Sequence, residues 1–394
     1  MVPLALLASF WLFFAQTTPL VAPPQTPRPP HQREEYAGVD ACRPCHAAIV
    51  RTFVETPHWL SSRAPSREAI AGPIPPGGQD IVTSNPELRY RVTATQDGFF
   101  ETALIGRSDP PQIRSERIDI VIGSGRKGQT YLWWRGDELF QLPLSYWGEL
   151  KAWANSPGQS DRTADFTRPV IPRCVDCHAT FVQAAAATSN RYDPRSLLLG
   201  VSCEKCHGPA LAHVAAHQNR GRDANIEADV VNPARLGREG KFAVCASCHG
   251  GQIVGPPFSY VPGDAVKLPA VVPRMRTSGG PTTGPINLGI DSHGQQATAL
   301  MNSRCYQASA MTCETCHNPH IRQPEAAAFS SKCMTCHTIE ACGRFPRDGR
   351  AIAGKCVDCH MPLQRSGLIV SANAAGTAQA HLRTHLIAIY PDGR

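Results

Sequence analysis

Seven times along this 394-residue chain, two cysteines stand three positions apart with a histidine directly after the second. In chain order the motifs are Cys42, Cys45 and His46; Cys174, Cys177 and His178; Cys203, Cys206 and His207; Cys245, Cys248 and His249; Cys313, Cys316 and His317; Cys333, Cys336 and His337; and Cys356, Cys359 and His360. Two thiols at this spacing on one turn reach the two vinyl groups of a single porphyrin and form thioethers. The imidazole that follows then meets the iron as its proximal axial ligand. Zinc sites also pair cysteines, but they have no reason to place His after the second one every time. Thioredoxin-like redox pairs occur once per domain, and a disulfide framework scatters its spacings. The repeats predict seven covalently attached haem c groups.

Each iron has a second axial position. Eight histidines lie outside the motifs: His31, His58, His213, His217, His293, His320, His381 and His385. Seven bis-His haems need seven of them, and His31, in a proline-rich leader, is the spare. Bis-His ligation gives low-potential iron, whereas a Met ligand raises the potential; the six methionines read as packing residues. His320 follows His317 by three residues and His213 follows His207 by six, so neither swings easily to the far face of its own motif's haem. Each is expected on a neighbouring haem, which draws haems together. His213 and His217 share one face of an expected helix over 209–220. Cys305 and Cys342 remain, and in an oxidising compartment are expected to form a disulfide.

The elements that must hold these groups are sparse. There are 35 prolines and 32 glycines, a loop-heavy composition. After His46 come 127 residues without a motif; the later gaps are 24, 37, 63, 15 and 18 residues. Gaps this short leave room for one helix or loop per haem, so porphyrin faces must supply much of the core. The long gap reads differently. Residues 89–95 and 99–105 flank a Gln96-Asp97-Gly98 turn, and 129–134 and 138–142 flank Arg135-Gly136-Asp137, two hairpin signals with a further strand at 118–122. Trp133, Trp134, Trp147 and Trp153 read as the core of this β-rich insert. Residues 250–294, crowded with Pro and Gly, read as a surface excursion.

The formal charge of +7 carries no clustered Lys/Arg tract, and seven ferric haems at about −1 each would bring it near zero, so a nucleic-acid partner is excluded. Residues 2–15 form an apolar run too short to span a bilayer and of signal-peptide length. The expectation is an exported, periplasmic protein whose mature chain has no membrane span.

Several local words resemble the multihaem cytochrome c group that includes the tetrahaem cytochrome of ammonia oxidisers, pentahaem nitrite reductase and octahaem hydroxylamine oxidoreductase. They are VETPH ending in His58, SCEKCHGPALAH ending in His213, SRCYQASAMTCETCHNPH ending in His320, and CVDCHMP at 356–362. The stretch IGSGRKGQTYLWW…LPLSYW resembles an insert of related proteins. The resemblance implies distal ligation of neighbouring haems by His58, His213, His320, His385 and His293, on a mostly helical scaffold. No motif carries Lys in place of its His, as the catalytic motif of the nitrite reductases does.

The expected fold is therefore mainly α with long loops, a haem-organised core and a small β-rich insert. Its divisions are a signal peptide and leader over 1–30, a first haem-binding segment over 31–85, the insert over 86–170 and a six-haem domain over 171–394. The expected function is electron transfer between redox partners, such as other cytochromes and quinol-oxidising or terminal reductase modules, rather than enzymatic catalysis. The alternatives are an oxidoreductase acting on a small nitrogen or sulfur compound at one open haem, and a haem filament in which copies self-associate.

Overall fold

The computed structural model describes residues 29–220, 230–250, 252–253, 255–267, 291, 293–374 and 376–390. The expected signal peptide and most of the 250–294 excursion lie outside them. Within the described residues no helix is long and apolar enough to cross a membrane.

Two antiparallel sheets occupy the long gap between the first and second motifs. One runs in the order Gln79–Val82, Leu88–Thr95, Gly98–Ile105, Gln112–Arg117. The other runs Ser62–Arg63, Ile120–Ile122, Gly128–Arg135, Glu138–Trp147, Arg168–Pro169, with Ala152–Asn155 also paired to Glu138–Trp147. Both expected hairpins form. The second closes with Arg135 opposite Glu138, its turn residue Gly136 taking φ +64°, which glycine adopts without a Cβ penalty.

Alternation along the Gly128–Trp147 hairpin buries both of its faces. Tyr131, Trp133, Phe140, Leu142 and Leu144 face the other sheet, meeting Tyr90, Val92, Ala103 and Trp153 in the main core. Leu132 and Leu139 point the opposite way, onto Val175, Ala179, Phe181 and Tyr192 of the second motif and the hairpin after it. The β structure is thus a wall against which the second motif is packed. Trp133, Trp147 and Trp153 are all buried, as core residues should be.

The mainly α expectation is overturned: the described chain is 29% helical and about 28% strand, with several antiparallel sheets. Strands extend beyond the insert. Ala179–Ala184 pairs with Tyr192–Leu199, and Leu363–Asn373 pairs with Gly376–Arg383. Connections between motifs must satisfy their backbone N–H and C=O groups, and here hairpins do so where helices were expected. Helices are short and cluster at the motifs: Pro172–His178, Cys203–His207 and Cys356–His360 coincide with motifs, and Val39–Phe53 contains the first. The expected helix over 209–220 is present as Leu211–Arg220.

Glu101 is fully buried between the sheets; its Oε2 accepts from the Leu144 N–H at 2.9 Å, and Oε1 has no hydrogen-bond partner. Burial raises its pKa well above the usual carboxylate range, the Leu144 bond only partly opposing this. A raised folded-state pKa means that stability is fully present below the unfolded value, about 4.3, and is lost as pH rises toward the folded one. Glu101→Gln is expected to stabilise the sheets by roughly 1–3 kcal/mol at neutral pH and to flatten that pH dependence. Melting curves of both proteins across pH 4 to 8 check this; parallel curves would show that Glu101 stays ionised.

Candidate haem-attachment centre

The residues between the paired cysteines do structural work that their sequence pattern did not reveal. In the second motif Asp176, 1% exposed, takes Lys205 Nζ of the third motif at 2.6 Å and Arg173 Nη1 at 3.2 Å. Arg173 Nη2 reaches on to the carbonyl of Ser247, inside the fourth motif, at 3.0 Å. Glu204 of the third motif accepts from the N–H groups of Ala37 and Gly38 at 2.8 and 3.0 Å and from Ala210 at 2.9 Å. Gly38 is the N-cap of Val39–Phe53, so the third motif supplies the anionic cap of the helix that carries the first. Arg383 holds the seventh motif through the carbonyls of Val357 and Met361 and the carboxylate of Asp358. The signal in the sequence is charge between the paired cysteines, at Asp176, Glu204, Lys205 and Asp358.

The motifs are consequently stacked against one another. Cys42 and Cys203 lie close enough to perturb each other's thiols, as do Cys177 with Cys248 and Cys245 with Cys313. Cys333 lies within electrostatic range of Cys316 and Cys356. The expected Cys305–Cys342 disulfide does not form, and both thiols are free. Cys305 sits among Cys316, Cys333 and Cys336 of the fifth and sixth motifs, whereas Cys342 lies near Cys356 of the seventh. Each leftover thiol packs beside a different motif.

The imidazoles come together in twos. An iron–nitrogen bond of about 2 Å, with roughly 1 Å more from nitrogen to ring centre, puts two axial imidazoles about 6 Å apart, centre to centre. His58 stands 6.0 Å from His249, His320 stands 6.2 Å from His207, and His385 stands 6.2 Å from His317. Each pair joins a motif histidine to one outside the motifs. His320 faces the third motif and not its own. His293 lies close enough to His178 to depress its pKa.

Local contacts aim the ring nitrogens. A carbonyl oxygen only accepts, so His207 Nδ1–H donates to Val231 O at 2.8 Å, His360 to Ala388 O at 2.8 Å and His385 to Arg383 O at 3.3 Å. Gln296 and Gln323 hold His249 and His317 Nδ1 the same way, each at 3.2 Å. In every case Nε2 is left with its lone pair, the arrangement a metal-ligating imidazole needs. Burial of its ring pushes His58 down to about 4, helped by His249 and His317, although the residue as a whole is exposed. Burial likewise takes His178 and His385 to about 4, with His293 and His317 respectively adding to the effect. Neutral imidazole is the ligating form.

The backbone is fixed around them. Ser61 and Ser62 both donate to the carbonyl of His178, at 2.8 and 2.7 Å, and the Val201 N–H donates to the carbonyl of His58 at 3.0 Å. Gly200, at φ +72°, lets the chain pass so near that a Cβ would lie 2.5 Å from the carbonyl oxygen of Trp59. Thr52 Oγ1 donates to the carbonyl of His320 at 2.9 Å.

The other candidates make different contacts among the described residues. His213 and His217 lie 4.5 Å apart on Leu211–Arg220, edge to face. His381 Nδ1 is bound to Glu149 Oε2 at 3.0 Å. His31 is held by Glu35 at 2.9 Å and stands edge-on to Tyr36. Among the described residues no imidazole makes ring contact with His46, His337 or His360, and none offers three His, Cys, Asp or Glu side chains converging as a bare metal ion requires. Paired cysteines, a proximal imidazole and a second imidazole about 6 Å away fit haem c instead.

Residues 147–208 match the family model described as cytochrome c554 and c-prime. The fold resembles the outer cell wall cytochrome OcwA, with TM-score 0.50 and 17% identity, covering 90% of this chain and 79% of that one. An undecahaem cytochrome from the S-layer of Carboxydothermus ferrireducens aligns at TM-score 0.40 and 18% identity over 85% of this chain and 52% of its own. The family match places a cytochrome c likeness at residues 147–208, and the likeness to the cell wall cytochrome is one of fold. They do not single out the group named from the local words. No curated protein matches the sequence.

The crossing angles of the imidazole pairs predict a spectroscopic mixture. His58 and His249 are inclined at 71°, whereas the other two pairs lie at 21° and 29°. Near-parallel ligand planes split the iron d orbitals more than crossed planes do. Electron paramagnetic resonance of the oxidised cytochrome is expected to contain both ordinary rhombic and highly anisotropic low-spin ferric signals. His58→Ala should remove one anisotropic component; a wholly rhombic spectrum counts against the crossed pair.

Proposed function

We propose that this cytochrome carries electrons between redox partners outside the cytoplasm, through seven covalently held haems c with mostly two imidazole ligands each. The observation that carries the reading is the trio of His–His pairs at 6.0–6.2 Å, each with one partner from a Cys-x-x-Cys-His motif. Bound haem supplies a one-electron iron couple. The chain's own residues do the rest: the cysteines tether the porphyrin, the motif histidines hold one axial position, and His58, His320 and His385 close the other. His293 is the distal ligand for the second motif, and His213, His217 and His381 are the candidates for the remaining three. Held by two imidazoles, a bound haem would supply electron exchange and would leave no open position for a substrate.

Export follows from the thioether chemistry and from the short apolar run at 2–15. The partners are other redox proteins, including cytochromes and quinol-oxidising or terminal reductase modules. We divide the chain into a leader over 1–30, a first haem-binding segment over 31–85, the β-rich insert over 86–170 and a six-haem domain over 171–394.

Intact mass spectrometry of the exported protein, with quantitative electron paramagnetic resonance, tests the reading. The expected result is a mass increased by seven haems and only low-spin ferric signals, with no carbon monoxide bound on reduction. A stoichiometric high-spin, carbon monoxide-binding haem would instead favour an oxidoreductase.

A further inference from the structure

The turn that follows the fifth motif folds back onto the motif's own histidine. Residues 318–324 read Asn-Pro-His-Ile-Arg-Gln-Pro, directly after His317. Each proline restricts the residue before it to extended backbone, so Asn318 and Gln323 have little freedom. Asn318 Oδ1 accepts from the His320 N–H at 2.9 Å, and the Ile321 N–H returns to the Asn318 carbonyl at 3.4 Å.

Gln323 closes this turn from within. Its Nε2 donates to the carbonyl of Ile321 at 3.0 Å and to that of Asn318. Carbonyls only accept, so the amide nitrogen must face them and Oε1 must face away. Oε1 meets Nδ1 of His317 at 3.2 Å. The orientation of one amide therefore fixes the tautomer of His317, with the proton on Nδ1 and the lone pair on Nε2. His385 stands 6.2 Å from this ring.

At the third and seventh motifs the corresponding acceptor is a backbone carbonyl at 2.8 Å, which no side-chain change removes. At the fifth it is a side chain, which substitution can alter. An acceptor on Nδ1–H draws that proton from the ring and makes Nε2 the more electron-rich ligand, which favours ferric over ferrous iron.

We propose that Gln323 is a positioning residue that holds His317 in its ligating tautomer and lowers the reduction potential of the haem on the fifth motif. This rests on the haem-attachment reading above.

The test titrates that haem by itself. His385→Ala opens the sixth position at the fifth motif, so its haem becomes the one high-spin signal of the intact cytochrome. In that background Gln323→Leu removes the acceptor. Gln323→Glu matches Gln while protonated, its O–H donating to a carbonyl of the turn, and becomes a stronger acceptor once ionised. The midpoint potential is expected to rise in the Leu variant and, as pH rises, to fall in the Glu variant. Each change should be roughly tenfold in the ferrous-to-ferric ratio at a fixed potential, or about 59 mV for one electron. Resonance Raman of the reduced protein reads the same bond, the iron–histidine stretch dropping with Leu and rising with Glu. A merely structural loss would move both variants in one direction. With the high-spin signal present, shifts of the same sign, or none, overturn the role of Gln323 and leave the attachment reading standing. A His385→Ala protein without a high-spin haem overturns the ligand assignment at the fifth motif and the proposal with it. If the Leu variant does not fold, the near-isosteric Glu variant decides by the sign of its shift.

Discussion

Replacing Asp176 with Asn is expected to destabilise the cytochrome by about 3–5 kcal/mol, the usual cost of removing one partner of a buried ion pair. Asp176 is 1% exposed, and the Lys205 side chain is 14% exposed with Nζ 4.8 Å from the centre of the Phe258 ring. Asn keeps the shape and removes the charge, so the buried ammonium is left over the Phe258 ring with an amide oxygen as its partner. The pair spans the second and third motifs, and Arg173 extends it to the fourth, so its loss loosens three attachment sites at once. Lys205→Met should cost less, because Asp176 keeps Arg173. The double change Asp176→Leu with Lys205→Met should recover part of the loss, since well-packed apolar residues often replace a buried pair at little cost. Denaturant unfolding of the haem-loaded protein measures all three; a loss below about 1 kcal/mol for Asp176→Asn would mean that water reaches the pair.

His58→Ala is expected to convert one low-spin ferric haem per chain to high-spin and to create one carbon monoxide-binding site on reduction. The pair it breaks is the 6.0 Å approach to His249, and the backbone around position 58 is held by Val201 and Ser61, so no other imidazole swings in easily. His385→Ala should do the same at His317. His31→Ala should leave the spin state unchanged, because His31 is engaged with Glu35 and Tyr36. Added imidazole should restore the low-spin signal in the two ligand variants. An unchanged spin state in His58→Ala would remove this residue from the ligand set.

The Cys-x-x-Cys-His motifs are legible in the sequence because they are local. Two thiols and an imidazole on a single turn are specified by five consecutive residues, and no distant contact is needed to recognise them. The hairpins at Leu88–Ile105 and Gly128–Trp147 were legible for the same reason: alternation and turn residues lie within one short window. The further strands at Ala179–Leu199 and Leu363–Arg383 escaped notice, since segments between motifs were expected to be helical.

Only the tertiary structure decided which histidine meets which motif. His58 finds the fourth motif, His320 the third and His385 the fifth, and no spacing in the chain encodes those choices. It also decided the fate of Cys305 and Cys342, which redox arithmetic would pair but which packing sends to different motifs. The physical reason is the same in each case. Covalent attachment is set by neighbours along the chain, whereas a sixth ligand, a disulfide or a buried ion pair such as Asp176–Lys205 forms only where folding brings remote backbone together and excludes water.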